Sequence, residues 1–546
     1  MSRNWWRDAV IYQVYPRSFT DADGDGLGDI PGVTSRIGYL SALGVDAIWL
    51  SPFYPSPLAD GGYDVADFRD VDPRLGTLED FDVLVAAAHE RDIKIIVDIV
   101  PNHTSDQHAW FQQALAAAPG SPERQRYVFR EGRGPDGSLP PSGWQSMFGG
   151  PAWTRVPDGQ WYLHLFAREQ PDLNWDEPEV RAEFTDILRF WSRRGVDGFR
   201  IDVANALVKD LKEPLREVEE ASDSNSLDSV STNPDHPHWD RPEVHEIYRE
   251  WRRVLDEFDP PRVAVAEAWL PSERLARYVR PDELHQAFNF EFLRCPWHAD
   301  SYRKVIGTSL DDAGSVGTVA TWVLSNHDVV RPASVLGLPE GTDLNEWLMS
   351  GGKEPECDRG LGLRRARAAA LLELALPGAT YVYQGEELGL PEVAALPAGV
   401  LQDPTWERTG NTVKGRDGCR VPIPWEREGP SLGFGETEGW LPQPLDWAAL
   451  SVAAQTGDPA STLELYRSAL RERKAFAGDE SFAWEDTLND GDVLAYRRGT
   501  DVLVLVNTGT EPIPLPQGQV ILSSVGLTGD SLPGDAAVWL RVAAEG

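Results

Sequence analysis

The sequence has few cysteines, a deficit of basic residues and no long apolar run. Its three cysteines, Cys295, Cys357 and Cys419, are far apart among 546 residues, which excludes a disulfide framework and gives no metal-type spacing. No stretch of 18 uninterrupted apolar residues is present, so no membrane span is predicted. The start, MSRNWWRDAV, lacks the basic segment and apolar run of a signal peptide, and the cytoplasm is the expected location.

Acidic residues outnumber basic ones by a wide margin. Lysine and arginine together number 51 against 87 aspartates and glutamates, a formal charge of −36. Because an anionic surface repels nucleic acid and anionic lipid, neither is expected as a partner. The charge favours solubility and a neutral or cationic small-molecule substrate, and it leaves the oligomeric state open.

Eight short, mostly apolar runs predict strands that are buried on both faces. They are residues 9–16, 46–53, 94–102, 196–204, 262–269, 286–292, 321–328 and 379–387. Helical patterns precede several of them, at 81–92, 179–195, 244–258 and 364–378. Strands and helices that alternate about eight times predict an α/β fold, a TIM-type (β/α)8 barrel over residues 1–103 and 172–473.

Two segments rich in Gly and Pro interrupt this alternation. Residues 104–171, after the third strand, are too long for a plain loop and predict an inserted subdomain. Residues 390–450 follow the eighth strand, and both segments should stand on the carboxyl-terminal face, where barrel active sites lie. The helical patterns stop near residue 473, and residues 474–546 predict an antiparallel β-sandwich domain.

Carboxylates cluster where the predicted strands end, at Asp98, Asp202, Glu267 and Asp328. A carboxylate in a barrel strand is costly unless it is paired or functional, and four at one mouth indicate a catalytic site. Arg200 lies two residues before Asp202, so both point the same way and the guanidinium favours ionised Asp202. Glu267 has no cation close in sequence and should hold its proton, which gives the opposed pair of a glycosidase.

Five motifs follow one another at or near these strand ends. They are Asp98-Ile-Val-Pro-Asn-His103, Gln170-Pro-Asp-Leu-Asn174, Gly198-Phe-Arg-Ile-Asp202, Glu267-Ala-Trp269 and Asn326-His-Asp328. Together they resemble the signatures of glycoside hydrolase family 13, the α-amylase family, and within it the bacterial α-glucosidase and oligo-1,6-glucosidase branch. The resemblance runs from Trp5 to about residue 545.

The resemblance implies a retaining α-glucosidase with Asp202 as nucleophile, Glu267 as general acid/base and Asp328 as transition-state stabiliser. It also implies side chains that contact the sugar in the −1 subsite. These would be Tyr63, His103, Arg200 and His327, and Phe166 and Gln170 would be further substrate-binding residues. The reaction would pass through a covalent β-glucosyl-enzyme intermediate.

Asp60 and Arg420 resemble the pair that grips the non-reducing end of the substrate in the exo-acting branch. Arg416 is a competing candidate for the arginine position. Such a pair closes the pocket, so the resemblance implies release of one glucose at a time from maltose and short α-glucosides. The alternatives for these residues are a solvated loop aspartate and a surface arginine.

Residues 21–29 form a Gly-kinked loop with oxygen ligands at positions 1, 3, 5 and 9. The predicted ligands are the side chains of Asp21, Asp23, Asp25 and Asp29 and the carbonyl of Leu27. The loop departs from an EF-hand because position 12 is Gly32 and no bidentate Glu follows. It resembles the calcium loop of related α-glucosidases, so a structural Ca²⁺ is expected, with Mg²⁺ or an empty acidic loop as alternatives.

Other activities share the same machinery. An α-1,6-glucosidase, or a transglucosylase or isomerase acting on sucrose or trehalose, would differ in linkage or in what attacks the intermediate, and Val203, Ala204 and Asn205 are the discriminating positions. In relatives, a valine after the nucleophile often accompanies α-1,6 activity. An endo-acting α-amylase is disfavoured by the predicted pocket. A non-catalytic transporter subunit is disfavoured because all three catalytic carboxylates are kept.

Overall fold

The computed structural model of this chain describes residues 4–218 and 235–543. Three parts of the predicted domains lie outside the described residues. They are residues 1–3 and 219–234 of the predicted barrel and residues 544–546 of the predicted β-sandwich domain. Eight parallel strands form a nearly closed barrel, which confirms the predicted fold class. In chain order they are Val10–Val14, Ala47–Leu50, Lys94–Ile99, Gly198–Ile201, Val263–Ala266, Gln286–Ala287, Thr321–Val323 and Ala379–Tyr383.

Barrel strands that follow one another along the chain are neighbours in the sheet, and the eighth strand returns to pair with the first. Val10 lies opposite Thr380 in that closing pair. Between the sixth and seventh strands the described residues form no ladder; there the Asn289 N–H donates to the Thr321 carbonyl at 3.2 Å. The carboxyl ends of the strands therefore meet at one mouth.

α-Helices accompany the barrel strands, as the alternating pattern predicts. Those of eight or more residues are Leu78–His89, Ala109–Ala116, Pro178–Arg193, Val244–Leu255, Ala299–Ser315, Arg359–Ala375 and Thr462–Arg473. The shorter ones are Ile30–Ser35, Ile37–Leu43, Pro122–Gln125, Ser272–Leu275, Phe290–Leu293, Pro332–Val335, Leu344–Met349, Pro404–Arg408 and Val452–Gln455. Gly195, two residues after the helix Pro178–Arg193, has a left-handed φ of 99°, which is typical of a helix end. Within the described residues, no helix is both long and apolar enough to cross a membrane.

The sixth barrel strand ends at Ala287, five residues before the predicted end at residue 292. The Asn289 side chain accepts a hydrogen bond from the Phe292 N–H at 3.1 Å and caps the short helix Phe290–Leu293. A side chain that bonds its local backbone in this way competes with strand pairing. The strand prediction was therefore wrong for residues 288–292.

Antiparallel sheets lie where the sequence predicts the inserted subdomain and the C-terminal β domain. Within residues 104–171 the strand order is Phe129–Glu131, Gln160–Leu163, Trp153–Arg155. After residue 473 the five-stranded order is Phe482–Trp484, Val493–Arg498, Val502–Asn507, Ala536–Arg541, Gln519–Ser523. A further pair joins Ile513–Pro514 to Ser531–Leu532. The exact bounds of the domains stay a prediction.

Inside the barrel, an apolar cluster supports a polar layer at the mouth. From six strands the cluster includes Ile11, Trp49, Ile96, Val265, Val323 and Tyr381. Side chains two residues apart on a strand face the same way, so the next inward positions lie nearer the mouth. For five of those strands these positions are polar and buried, at Gln13, Ser51, Asp98, Glu267 and Ser325. The strand period thus sets buried polar groups above an apolar base.

Candidate active site

A single buried arginine, Arg200, joins three carboxylates at the barrel mouth. Its Nη1 donates to Asp98 Oδ1 at 2.9 Å and to Asp202 Oδ1 at 2.6 Å, and its Nη2 lies 2.9 Å from Glu267 Oε2. The sequence assigned this cation to Asp202 alone. Glu267 shares it because strand pairing sets Arg200 beside Val265, two residues before Glu267. Glu267 has no cation close in sequence, and the fold brings Arg200 to it.

Burial shifts the pKa values of two of the acids around Arg200, Asp98 and Asp202. Burial raises the pKa of Asp202 well above its usual range, although the charge of Arg200 lowers it. Burial also raises the pKa of Asp98 to about 7, again against Arg200. Arg200 therefore favours ionised Asp202, as predicted, but burial and the neighbouring acids outweigh it. The negative charges of Glu267 and Asp98 add to the effect of burial on the pKa of Asp202.

Asp328, just after the seventh strand, is held by two arginines. Its Oδ1 accepts from Arg416 Nη1 at 3.0 Å and from Arg420 Nη2 at 2.8 Å, and its N–H donates to Asn326 Oδ1 at 2.8 Å. Burial alone would raise the pKa of Asp328, but the positive charges of Arg416 and Arg420 lower it below the usual range. Asp328 is therefore a fixed negative charge at the mouth.

Tyr63 and His327 form a stacked aromatic pair beside this charge. Their ring centroids are 5.2 Å apart at an interplanar angle of 10°. The Tyr63 hydroxyl donates to Asp98 Oδ2 at 3.0 Å, and His327 Nδ1 lies 2.7 Å from Gln13 Nε2. Burial lowers the pKa of His327 well below its usual range, so the imidazole is neutral.

His103, Phe166 and Gln170 also come together, as predicted. The His103 and Phe166 ring centroids are 5.2 Å apart. Gln170 Nε2 lies 3.0 Å from His103 Nε2 and donates to Asp60 Oδ2 at 3.1 Å. Burial lowers the pKa of His103 to about 4, so this ring too is neutral and suits a sugar hydroxyl.

Asp60 pairs with Arg416 rather than with Arg420. Arg416 Nη2 lies 2.6 Å from Asp60 Oδ1, while its Nη1 and Nε contact Asp328 at 3.0 Å and Asp403 at 2.5 Å. Arg420, which a 3₁₀ turn separates from Arg416, contacts Asp328 at 2.8 Å, a partner that the two arginines share. The structure corrects the predicted pairing in favour of the competing candidate, and both arginines stay at the mouth.

Two side chains near the site were not singled out from the sequence. The Phe148 ring lies 5.1 Å from the Arg416 guanidinium and 5.7 Å from the Phe166 ring. Asp403 is buried and accepts from the N–H and Nε of Arg416 at 2.9 and 2.5 Å. Both belong to the two Gly- and Pro-rich segments, where no periodic pattern indicates which residues turn inward.

The loop at residues 21–29 gathers part of the predicted metal ligand set. One carboxylate oxygen from each of Asp21, Asp23 and Asp29 lies within 4.8 Å of the others. The predicted ligand Asp25 is not in this group; its Oδ1 accepts from the Leu27 N–H at 2.8 Å. Burial raises the pKa of Asp21 and of Asp29, and a bound cation would favour their ionised forms. Three converging hard oxygen donors fit a divalent ion such as Ca²⁺.

The fold, with its acids gathered at the carboxyl-terminal mouth, is that of a barrel enzyme. Comparison with known proteins agrees: the model of the α-amylase catalytic domain matches residues 13–478. A probable α-glucosidase of Rhizobium meliloti (strain 1021) is 40% identical over 483 residues, which cover 87% of this chain and 83% of that protein. An oligo-1,6-glucosidase of Parageobacillus thermoglucosidasius is 32% identical, with 94% and 92% covered.

Comparison with solved structures also finds a similar enzyme. The crystal structure of the α-glucosyl transfer enzyme XgtA is 36% identical and superposes with a TM-score of 0.83 over 98% of this chain and 99% of that one. The chain belongs to the α-amylase family, glycoside hydrolase family 13, which confirms the resemblance in its motifs.

Proposed function

We propose that the protein is a retaining, exo-acting α-glucosidase that releases glucose from the non-reducing end of maltose and short α-glucosides. The observation that carries this proposal is that Asp202 and Glu267 contact neighbouring nitrogens of Arg200. Retaining glycosidases hold their two carboxyls about 5–5.5 Å apart, whereas inverting enzymes leave a wider gap for a water. One shared guanidinium favours the closer arrangement.

The reaction would take two steps. First, Asp202 attacks the anomeric carbon from the β face, and Glu267 gives its proton to the glycosidic oxygen as the bond to that carbon breaks. This leaves a β-glucosyl ester on Asp202. Glu267 then takes a proton from water, the water oxygen bonds to the anomeric carbon, and the ester bond breaks to release α-glucose. Asp328 supplies fixed negative charge for the positive charge that develops on the sugar.

The bridge between Asp60 and Arg416 supports exo action. Their ion pair is buried, and the same guanidinium is anchored on Asp403 and Asp328. A rigid charged wall this close to the catalytic acids bounds a pocket, and its polar atoms suit the hydroxyls of a terminal glucose. Tyr63, His103 and His327 would contact that glucose from the sides.

A second candidate rests on Val203, which follows the nucleophile directly. An α-1,6-glucosidase, or a transglucosylase or isomerase acting on sucrose or trehalose, forms the same intermediate. Val203 has a φ of 42°, unusual for a β-branched residue, and the next two residues, Ala204 and Asn205, are buried. The valine itself favours α-1,6 activity by resemblance, so linkage preference needs a direct measurement.

One substrate panel tests the proposal. Glucose release from maltose, isomaltose, sucrose and trehalose would be measured, with the anomer followed by rapid NMR. The expected result is preferential cleavage of maltose with α-glucose appearing first. Initial β-glucose would overturn retention. Faster cleavage of isomaltose, or formation of a sucrose isomer, would favour the second candidate.

We also propose that the 21–29 loop binds a structural Ca²⁺ through Asp21, Asp23 and Asp29, with the Leu27 carbonyl as a further ligand. Bound to these groups, the ion would supply charge compensation and rigidity rather than chemistry. The loop precedes the helix Ile30–Ser35, whose first turn Asp29 caps at 2.6 Å, so fixing the loop also fixes that helix.

Chelation is expected to lower the melting temperature by a few degrees, because a ligand bound only to the native state stabilises it by mass action. Thermal unfolding with EDTA, and after return of Ca²⁺ or Mg²⁺, measures this and ranks the two ions. In the matched variant Asp21→Ala, chelation should have no further effect, while turnover at low temperature persists. Loss of turnover at unchanged stability would show that the ion is not structural.

The cytoplasm is proposed as the location. The three free cysteines suit a reducing compartment. Fractionation of the producing cells with an antibody to the protein tests this, and recovery outside the cytoplasmic fraction would contradict it.

A further inference from the structure

The two oxygens of Glu267 have different surroundings. Oε2 lies 2.9 Å from Arg200 Nη2 and accepts the Val203 N–H at 2.9 Å, whereas Oε1 accepts the Trp269 indole N–H at 3.2 Å. The two acceptor positions of Oε2 therefore face N–H donors, the cationic Arg200 and the Val203 backbone. A proton on Oε2 would point at one of these donors. A carboxyl oxygen has two acceptor positions, so Oε1 keeps one for a proton beside the indole. The acid form of Glu267 therefore carries its proton on Oε1.

The Val203 backbone is held in an uncommon conformation that serves this arrangement. Its φ of 42° lies in the left-handed region, which β-branched residues rarely adopt. The same turn lets the Ala204 N–H donate to the Glu267 carbonyl at 2.7 Å. The ends of the fourth and fifth barrel strands are thereby joined, which fixes the Glu267 side chain with Oε2 turned toward the nucleophile strand.

The Trp269 indole is itself held in place. Its ring stacks on Phe290 with centroids 3.8 Å apart at 12°, and the Arg294 guanidinium carbon lies 4.8 Å from its centroid. Phe290 is buried and packs in the apolar cluster inside the barrel. Packing of this kind leaves the N–H little freedom to leave Oε1.

We propose that Trp269 is a positioning residue for the general acid. Its N–H occupies one acceptor position of Glu267 Oε1 and thereby directs the proton on that oxygen toward the leaving group. In the step concerned, the Oε1–H bond breaks, the proton passes to the glycosidic oxygen, and that oxygen keeps the electron pair of its broken bond to carbon. The inference deepens the proposed glycosidase function and rests on it.

The test compares substrates that differ in their need for a proton. Maltose has a poor leaving group and requires protonation, while α-glucosyl fluoride releases fluoride with far less assistance. Trp269→Phe keeps a ring to stack on Phe290 and removes the N–H. We expect kcat/KM for maltose to fall about tenfold or more, which is part of the full contribution of general acid catalysis. For α-glucosyl fluoride, kcat/KM should change by less than about threefold.

Two reference variants set the scale. Glu267→Gln should show the full difference between the two substrates in kcat/KM, which reports only the steps up to the glucosyl-enzyme. Trp440→Phe is the matched control, since Trp440 also donates its indole N–H, to Ser18 at 3.0 Å, and carries a stacked arginine, Arg17, at 4.1 Å. It should leave both substrates unaffected.

The possible outcomes separate the claims. Equal losses on the two substrates, or no loss on maltose, would overturn the role of Trp269. If Trp269→Phe misfolds, benzothienylalanine at this position replaces only the N–H by sulfur. The comparison of kcat/KM for maltose and α-glucosyl fluoride then tests the role of Trp269 in that variant. Absence of α-glucosyl fluoride hydrolysis by the unmodified enzyme would overturn the proposed function itself, and the role of Trp269 with it.

Discussion

The Asp202→Asn variant is expected to lose about four to six orders of magnitude in kcat on maltose, because an amide cannot form the glucosyl ester. The substitution keeps the shape of the side chain and an oxygen that can accept from Arg200, so the fold should persist. Glucose release over long incubations and the thermal unfolding curve measure the two quantities. Turnover close to that of the unmodified enzyme would exclude Asp202 as nucleophile.

Asp197→Asn is the matched control for that variant. Asp197 is a buried aspartate just before the same strand, at the end away from the mouth, where it contacts Lys94 at 3.1 Å and His89 at 2.7 Å. Loss of the Asp197 carboxylate should lower the melting temperature and leave kcat nearly unchanged.

In Asp202→Gly, azide should restore turnover of α-glucosyl fluoride and yield the β-glucosyl azide, since the anion enters where the carboxylate stood. An α-azide product would contradict the assignment.

The Asp60→Ala variant is expected to lose about 100-fold in kcat/KM on maltose, because the contact that orients the reacting glucose is lost. Arg416→Lys should lose a similar factor, since an ammonium cannot reach Asp60, Asp328 and Asp403 together. Initial rates on maltose, with unfolding curves alongside, measure both effects. Asp70→Ala, an exposed position in the same loop region, is the control and should be silent.

Chain length provides a separate measurement of the same pocket. If binding is concentrated on the terminal glucose and its neighbour, kcat/KM stays flat or falls from maltose to maltoheptaose. In an open cleft each added glucose would contribute binding energy usable in the transition state, and kcat/KM would rise. Soluble starch cleaved faster than maltose, together with a silent Asp60→Ala, would place the protein with endo-acting enzymes.

The barrel and its catalytic acids were predictable because short-range regularities determine them. Strands buried on both faces are near-continuous apolar runs, and the period of two sets Asp98 beyond Ile96 and Glu267 beyond Val265 on the inner face. The motifs then gave these positions their roles by resemblance. The sixth strand was overpredicted because the capping bond of Asn289 is local chemistry that an apolar run conceals.

Apart from the pair of Arg200 with Asp202, the pairing of cations with acids was not predictable from spacing. Arg200 reaches Glu267 through the register of two strands that are far apart in sequence. Arg416 and Arg420 are separated by the 3₁₀ turn Asp417–Cys419, in a segment without regular period, so their directions depend on tertiary packing. The balance between burial and charge at Asp202 likewise depends on how many acids converge, which only the closed barrel determines.

The closing pair of the barrel has a consequence for synthesis of the chain. Val10 and Thr380 are about 370 residues apart, so at about 5–20 residues per second the first strand waits roughly 20–70 s for its second partner. During that time one edge of the growing sheet carries unpaired backbone groups, which can pair with a neighbouring nascent chain. The yield of active protein should therefore depend on how well this edge is kept apart from other chains until the eighth strand has been synthesised.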